Sequence, residues 1–575
     1  MNFRKHTRTR NTDAEDSPSK QAPAATRPRL RTRRTTVLAA VALIGLAAFR
    51  TVDDDLFKLR KNFEIFGALY EQLILGYVDD LDSDRTMHRA ISAMLADLDP
   101  YTVFSDQSQQ VTYAAARGGY VSAGLNLTMI NGQLTVIEPA GSASAYKQGI
   151  RIGDVVVEIA GRDADGMTIG DAATLLSGEP GTTVAVSVRR EGTADPIPFV
   201  LTREQDTPSS IELAEFLDGD EGRGIGYIKL ASFQMNSHRE FRRALNDLND
   251  TGNLKAVVVD LRDNLGGYVD AAVAIAEMFV PRGSTVLTMR GRTPETFREY
   301  KTSLDPIVGD IPVVVLMNEL SASASEILAG AIQDLDRGVI VGTTSFGKGL
   351  VQTVQQLPYN SALKLTIARY YTPSGRSIQA IDYRAHDGSP LPVPDSLRTT
   401  YATANGRTVK DGRGIEPDLT SREREPSEIE QALLRQSAFF FFANNYAGSH
   451  ATLAPDYQVD DATWSAFRSW LDGQDFAWRS ESDEAIEALR ESLAEAGYDA
   501  DSALTELEKK VRQEKGRDLD RFRESIEREL REEIGSRYFD GEALVRFGLG
   551  SDPDLDAAKQ LLASRNQYQQ LLSPQ

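Results

Sequence analysis

Four short runs of β-branched and aliphatic residues, GIGYIKL (224–230), AVVVDLR (256–262), VVVLM (313–317) and GVIVGT (338–343), constrain this chain more than any other feature. Turn residues bound each run, and stretches of helical periodicity lie between them at 239–248, 269–278 and 323–335. A strand that is apolar at consecutive positions, rather than alternate ones, has both faces covered. Residues 205–425 therefore predict an α/β domain around a largely buried sheet, with helices packed on it. At 575 residues the chain is too long for one such core, so further domains flank it.

The flanks differ in pattern. Residues 51–112 predict an N-terminal helical segment. Leu56, Leu59, Phe63, Phe66 and Leu69 recur at helical spacing, as do Ala90, Met94 and Leu98, and LDPY (98–101) stops the helix at Pro100. Residues 113–204 predict short strands and one helix, 169–176. The strands are LTVIE (134–138) after the turn Asn131-Gly132, VVVEIAGR (155–162) after Gly153-Asp154, and VAVSVRR (184–190). Within this unit PAGSASAYKQGIRIGDVVVEIAG (139–161) resembles a PDZ domain. The resemblance implies a peptide groove that begins at the loop 120–125, with Val121, Ser122, Ala123, Gly124 and Leu125 as its binding residues. In such a groove a chain end adds a strand to a sheet edge, while loop N–H groups hold its carboxylate. Residues 426–575 predict a helical extension, with AFFFFANNY (438–446) as a packed helix core and 481–535 as a solvated face rich in Glu and Arg.

Composition narrows the chemistry. The formal net charge is −20, which repels phosphates and argues against nucleic acid as a partner. Cysteine is absent, so disulfides, thiolate nucleophiles, Cys-ligated zinc and a lipidated N-terminal cysteine are all excluded. The five His are scattered and no HExxH occurs; His238, between Ser237 and Arg239, reads as part of a solvated helix face. A hydrolase made from this chain needs a base other than histidine, and no metal site is legible.

The N-terminus reads as an address. Residues 1–34 form a basic tail with ten Lys or Arg against three acids, and the uncharged run TTVLAAVALIGLAAF (35–49) follows, closed by Arg50. As a helix that run spans roughly 23 Å, short of the roughly 30 Å hydrocarbon core. Residues 35–50 are therefore expected to be a signal peptide or signal anchor, the chain's link to the membrane. The basic flank stays in the cytoplasm and everything after Arg50 is exported, to the periplasm or another extracytoplasmic space.

Three segments carry candidate chemistry. In VVVLMNELSASASEILAG (313–330) a strand runs into a small-residue turn, and a helix starts near Ser323. A serine placed there is presented at the surface beside unpaired helix N–H groups, and a developing oxyanion could accept from the Ala324 N–H. Ser323-x-x-Glu326 is equally a capping box, which needs no catalysis. Lys348 stands between Gly347 and Gly349, where close backbone packing could desolvate its ammonium and make it a base. A lysine in a surface turn is the ordinary alternative, and a phosphate loop does not fit because GxxxxGK[ST] is unmatched. Strand alternation puts Lys348 and Gln352 on one face. In VVVDLRDNLGGYVD (257–270) the turn at Gly266-Gly267 exposes a second set of backbone donors.

Together LRDNLGG (261–267), SASASE (321–326) and FGKGLVQ (346–352) resemble, in order and kind, the S41 serine proteases, the C-terminal processing peptidases. LDPY (98–101), RYYTPSGRSIQ (369–379) and GIEPD (414–418) fit the same pattern, which covers roughly residues 55–420. The resemblance implies a crotonase- or ClpP-like α/β protease core with an inserted PDZ domain. It further implies Ser323 as nucleophile, Lys348 as general base, Gln352 as its orienting partner, and Ala324 with Gly266 or Gly267 as oxyanion donors. Glu326 is assigned to site support, no cofactor is implied, and the partners are proteins or peptides with unstructured C-termini. An adaptor and a homodimer stay open. So does a rival reading, a non-catalytic PDZ and crotonase-like scaffold that binds without cutting. Two departures stand out: Leu265 replaces the usual Pro, and Ser177-Gly178 closes the PDZ helix where many members have Arg-Gly. A polar insertion at about 380–411 separates two motifs that usually lie close.

Overall fold

The four predicted runs become neighbouring parallel strands of one six-stranded sheet. Its order is Ile211–Phe216, Ile225–Leu230, Ala256–Asp260, Val313–Met317, Val339–Gly342, Leu419–Thr420, and only the first pair is antiparallel. The computed structural model describes residues 56–106, 121–139, 144–205, 209–217, 223–383, 391–421, 426–474 and 476–574. The basic tail 1–34, the apolar run 35–50 and Tyr120 lie outside the described residues.

Both faces of the sheet are covered, which is why its strands show no alternation. Val257, Val259, Val313 and Val315 pack with Phe241, Leu245, Ala272, Ile275, Ile327 and Leu328. These belong to the helices Ser237–Asp250, Val269–Ala276 and Ala324–Asp334. Tyr227, Val258, Val314, Leu316 and Val341 face the other way, against Leu555, Ala558, Leu561 and Tyr568. That second layer comes from Pro553–Ala563 and Arg565–Leu571 at the far end of the chain. The Tyr568 hydroxyl closes it by meeting both the N–H and the C=O of Val313, at 3.0 Å each. The C-terminal helical extension thus supplies one layer of the core.

A second sheet joins the other motifs. Ser361–Tyr371 pairs with Val103–Ser105, which follows LDPY, with Leu350–Leu357, which follows FGKG, and with Thr285–Gly291. The PDZ-like unit is a separate sheet around its own core of Leu134, Val136, Val156, Ile159, Val186 and Leu201. Its helix Ile169–Leu176 starts at a capping box between Thr168 and Asp171. The strand expected over 155–162 stops at Ile159, because Ala160 (φ 52°) and Gly161 (φ 77°) turn the chain back into Arg162–Asp163. Leu125–Ile130 lies at the edge of this sheet.

The rest of the extension packs as helices around Phe439, Phe442, Trp464, Phe467, Ile526 and Leu530, as AFFFFANNY suggested. Among the described residues before Ile91, a helix runs over 56–76, on which Leu59 and Phe63 stay exposed. Among the described residues no helix is long and apolar enough to cross a membrane.

Candidate active site

The strand Val313–Met317 delivers the chain to SASASE, and the three serines take different roles there. Ser321 Oγ donates to the Leu261 carbonyl at 2.8 Å, and Ser325 Oγ to the Asn264 carbonyl at 2.8 Å. Both are buried, and they fasten the turn to LRDNLGG. Ser323 between them is half-buried and caps the helix Ala324–Asp334 with φ 55° and ψ −108°. A non-glycine residue held there stores about 1–3 kcal/mol of strain, which persists only where the surroundings enforce it.

Glu326 is the enforcing group. Its carboxylate is wholly buried and collects four donors. The Ser323 N–H (2.7 Å) and the Lys348 N–H (2.9 Å) both reach Oε2, while the Gly347 N–H (2.7 Å) and Ser345 Oγ (2.6 Å) reach Oε1. One oxygen thus ties the backbone of Ser323 to that of Lys348. The Tyr370 hydroxyl ties them again on the carbonyl side, 2.6 Å from the Lys348 oxygen and 3.1 Å from the Ser323 oxygen. Burial pushes the Glu326 carboxyl up against the pull of its four donors, to about 7. Lys348 is held below the ordinary lysine range, chiefly by burial and then by Lys364, with Glu326 and Asp99 opposing. Its Nζ lies over the ring of Tyr101, 4.3 Å from the centroid.

Gly266 presses against the Ser323 turn and Gly267 against the Phe233 backbone, both at positive φ. A Cβ on Gly266 (φ 96°) would stand 2.5 Å from the Ala322 oxygen and 2.8 Å from the Ala324 nitrogen. One on Gly267 (φ 148°) would meet the Phe233 oxygen at 2.1 Å. The two glycines differ as donors. The Gly266 N–H is already given to Asn264 Oδ1 at 2.9 Å. Among the described residues, the N–H groups of Gly267 and Ala324 have no protein acceptor.

Gln352 departs from the alternation argument. Lys348 precedes the strand Leu350–Leu357, and a register shift falls between Val351 and Gln352. The Gln352 amide donates to Thr366 Oγ1 at 3.1 Å, and Thr366 Oγ1 donates to Asp99 Oδ1 at 2.9 Å. The residue reaches the LDPY turn below Lys348 through this chain of bonds.

LRDNLGG is anchored from behind by a buried ion cluster that sequence reasoning did not find. Arg262 meets Asp260 (2.6 Å), Asp552 (2.5 Å) and Asp554 (3.0 Å), and the Tyr227 hydroxyl donates to Asp260 at 2.7 Å. Burial alone would raise the Asp260 carboxyl, yet Arg262 outweighs it and the carboxyl falls below its usual range. Asp552 caps the helix Pro553–Ala563, so the extension reaches to within two residues of Asn264. Nothing in the sequence near Asp552 points to Arg262. Tyr370 and Asp99 do lie in motifs noted above, but their roles need the fold.

In the PDZ-like unit, Val121–Ser122 pairs with Glu204–Gln205, Ala123 and Gly124 (φ 74°) are buried, and Leu125 opens the edge strand. The helix end at Ser177-Gly178 is served by an arginine from elsewhere. Arg203 Nε and Nη2 donate to the Leu176 and Leu175 carbonyls at 3.0 and 2.9 Å, and a Cβ on Gly178 would stand 2.8 Å from Arg203 Cδ.

Comparison with known proteins finds three family models along the chain. The model of Peptidase family S41 matches residues 224–386, that of a PDZ domain residues 135–190, and that of a probable PDZ-protease C-terminal helical domain residues 429–562. A carboxy-terminal-processing protease of Bartonella bacilliformis is 33% identical over 366 residues, covering 63% of this chain and 82% of the relative. A carboxyl-terminal-processing protease of Synechocystis is 34% identical over 300 residues, covering 51% and 69%. Among solved structures, a photosystem II D1 C-terminal processing protease shares 32% identity over 57% of this chain and 85% of its own, with a TM-score of 0.36.

Proposed function

The chain belongs to peptidase family S41, the carboxy-terminal processing proteases, and from that premise we propose that it is an exported serine endopeptidase working with a Ser323–Lys348 pair. The observation that carries the pair is the shared Glu326 oxygen, which leaves the two backbone nitrogens no farther apart than its two hydrogen bonds allow. A neutral Lys348 takes the Ser323 proton as Oγ attacks the scissile carbonyl. The oxyanion accepts from the Ala324 and Gly267 N–H groups, which have no protein acceptor among the described residues. Collapse expels the amine, which takes its proton from Lys348 and leaves an acyl ester on Ser323. A water then attacks the ester, with Lys348 again as base. Gln352 acts through Thr366 and Asp99 on the floor beneath the lysine.

The substrates in this reading are proteins with unstructured tails. Support comes from the strand Leu125–Ile130, which follows the loop 121–125 and lies at the edge of its sheet, where a chain end can be added as a further strand. Export rests on the basic tail and the apolar run 35–49. The division into a PDZ unit (113–204), a protease core (205–425) and a helical extension (426–575) belongs to the same proposal. Proteolysis of a disordered, apolar-ended protein by the full chain tests it. Cleavage is expected, and Ser323→Ala and Lys348→Ala should each abolish it with circular dichroism unchanged. Cleavage by either variant refutes the pair.

A further inference from the structure

The turn 99–102 beneath Lys348 is built with more bonds than a connector needs. The Tyr101 N–H donates to Asp99 Oδ1 at 3.1 Å, and Thr102 Oγ1 donates to Asp99 Oδ2 at 3.1 Å. Thr102 Oγ1 also accepts the Thr366 N–H at 3.2 Å, and Asp99 Oδ1 accepts Thr366 Oγ1 at 2.9 Å. Tyr383 meets the Tyr101 ring edge-on, with centroids 6.2 Å apart and planes at 90°. All of this fixes one object, the face of the Tyr101 ring, under Lys348 Nζ at 4.3 Å.

The charged groups around Lys348 are Glu326 from the helix Ala324–Asp334, Lys364 from the strand Ser361–Tyr371, and Asp99 from the turn itself. Among the described residues no carboxylate is in ion-pair contact with Lys348. A lysine base has conflicting needs. It must be neutral before the reaction, and it becomes an ammonium as it takes the serine proton. Burial serves the first need and opposes the second. A carboxylate at contact would hold the lysine charged from the start. A ring face attracts the cation more weakly and offers the neutral amine almost nothing, so its effect falls mainly on the charge formed in the reaction.

We propose that Tyr101 is a further catalytic residue, whose ring face stabilises the ammonium that Lys348 becomes on taking the proton of Ser323. The inference rests on the Ser323–Lys348 reading above. The Tyr101 hydroxyl takes no part in it.

The test measures kcat against pH for the full chain with Tyr101→Phe, Tyr101→Leu and phenylalanines carrying one, two or three ring fluorines at position 101. Fluorine drains the ring face and leaves its shape nearly unchanged, so the series stays informative if the leucine variant folds poorly. Phenylalanine should keep kcat within about twofold. Leucine should lower kcat on the alkaline plateau by about tenfold, and log kcat should fall stepwise with each fluorine. The acidic limb set by Lys348 should move to lower pH, since an ammonium without the ring gives up its proton more readily. A plateau kcat indifferent to fluorine overturns the proposal, and so does a phenylalanine variant as slow as leucine, which would assign the effect to the hydroxyl. Lys348→Ala measured alongside separates the two levels. If it still cuts, the Ser–Lys reading falls and takes this one with it; if it is inert, the series judges the ring alone.

Discussion

Replacing Glu326 by glutamine should change how stability varies with pH while lowering activity. Glutamine has the same length and is the nearest neutral mimic of the protonated carboxyl. It offers one acceptor oxygen to the four donors from Ser323, Lys348, Gly347 and Ser345, and its NH2 faces groups that are themselves donors. The carboxyl of the folded protein is raised from 4.5 to about 7 by burial. It therefore binds its proton more tightly than in the unfolded chain. The resulting penalty is absent below about pH 4.5, grows between there and about pH 7, and is complete above, where it reaches roughly 3 kcal/mol. The donors left without an acceptor should cost the variant about 1–3 kcal/mol at either pH, and against that offset its stability relative to wild type should rise by up to roughly 3 kcal/mol between pH 5 and pH 8. Turnover should nevertheless fall by about 100-fold, because the backbones of Ser323 and Lys348 lose their common acceptor and a shift of about 1 Å there spoils proton transfer. Urea unfolding at the two pH values, with peptidase turnover at pH 8, reads both effects. Turnover within about threefold of wild type, or a stability difference that does not change with pH, would refute the reasoning.

Two further outcomes follow from the same geometry. Ser323→Gly relieves a φ of 55° that serine adopts only under constraint, so the inactive variant should be about 1 kcal/mol more stable than wild type in urea unfolding. The double change Asp552→Ala with Asp554→Ala leaves the Arg262 guanidinium with one buried carboxylate instead of three, and should cost about 3–5 kcal/mol by the same measurement; a loss below about 1 kcal/mol would mean that the cluster adds nothing to the fold.

Much of the fold was legible because it follows from patterns a few residues long. Consecutive valines at 257–259 and 313–315 announced strands buried on both faces. Asn131-Gly132 announced a hairpin, with both residues at positive φ. The predicted helix 169–176 formed over Ile169–Leu176, where Thr168 and Asp171 supply its cap. Local reading failed where alternation was carried past its element. Lys348 lies outside the strand that holds Gln352, and the register shift between Val351 and Gln352 breaks the period of two on which the argument rested.

By itself the sequence determined the buried sheet and the turn in which Ser323 stands, because both follow from the apolar and steric character of neighbouring residues, and its motifs carried the resemblance to the family. Tertiary structure decided which groups meet. It spent the Gly266 N–H on Asn264 and left that of Gly267 without a protein acceptor. It set Tyr370 between the carbonyls of Ser323 and Lys348, and brought Asp552 to Arg262 across 290 residues of chain. It also laid the last two helices on the second face of the sheet. A hydrogen bond or ion pair forms between whatever donor and acceptor the packed backbone brings within about 3 Å, and spacing along the chain carries no record of that distance.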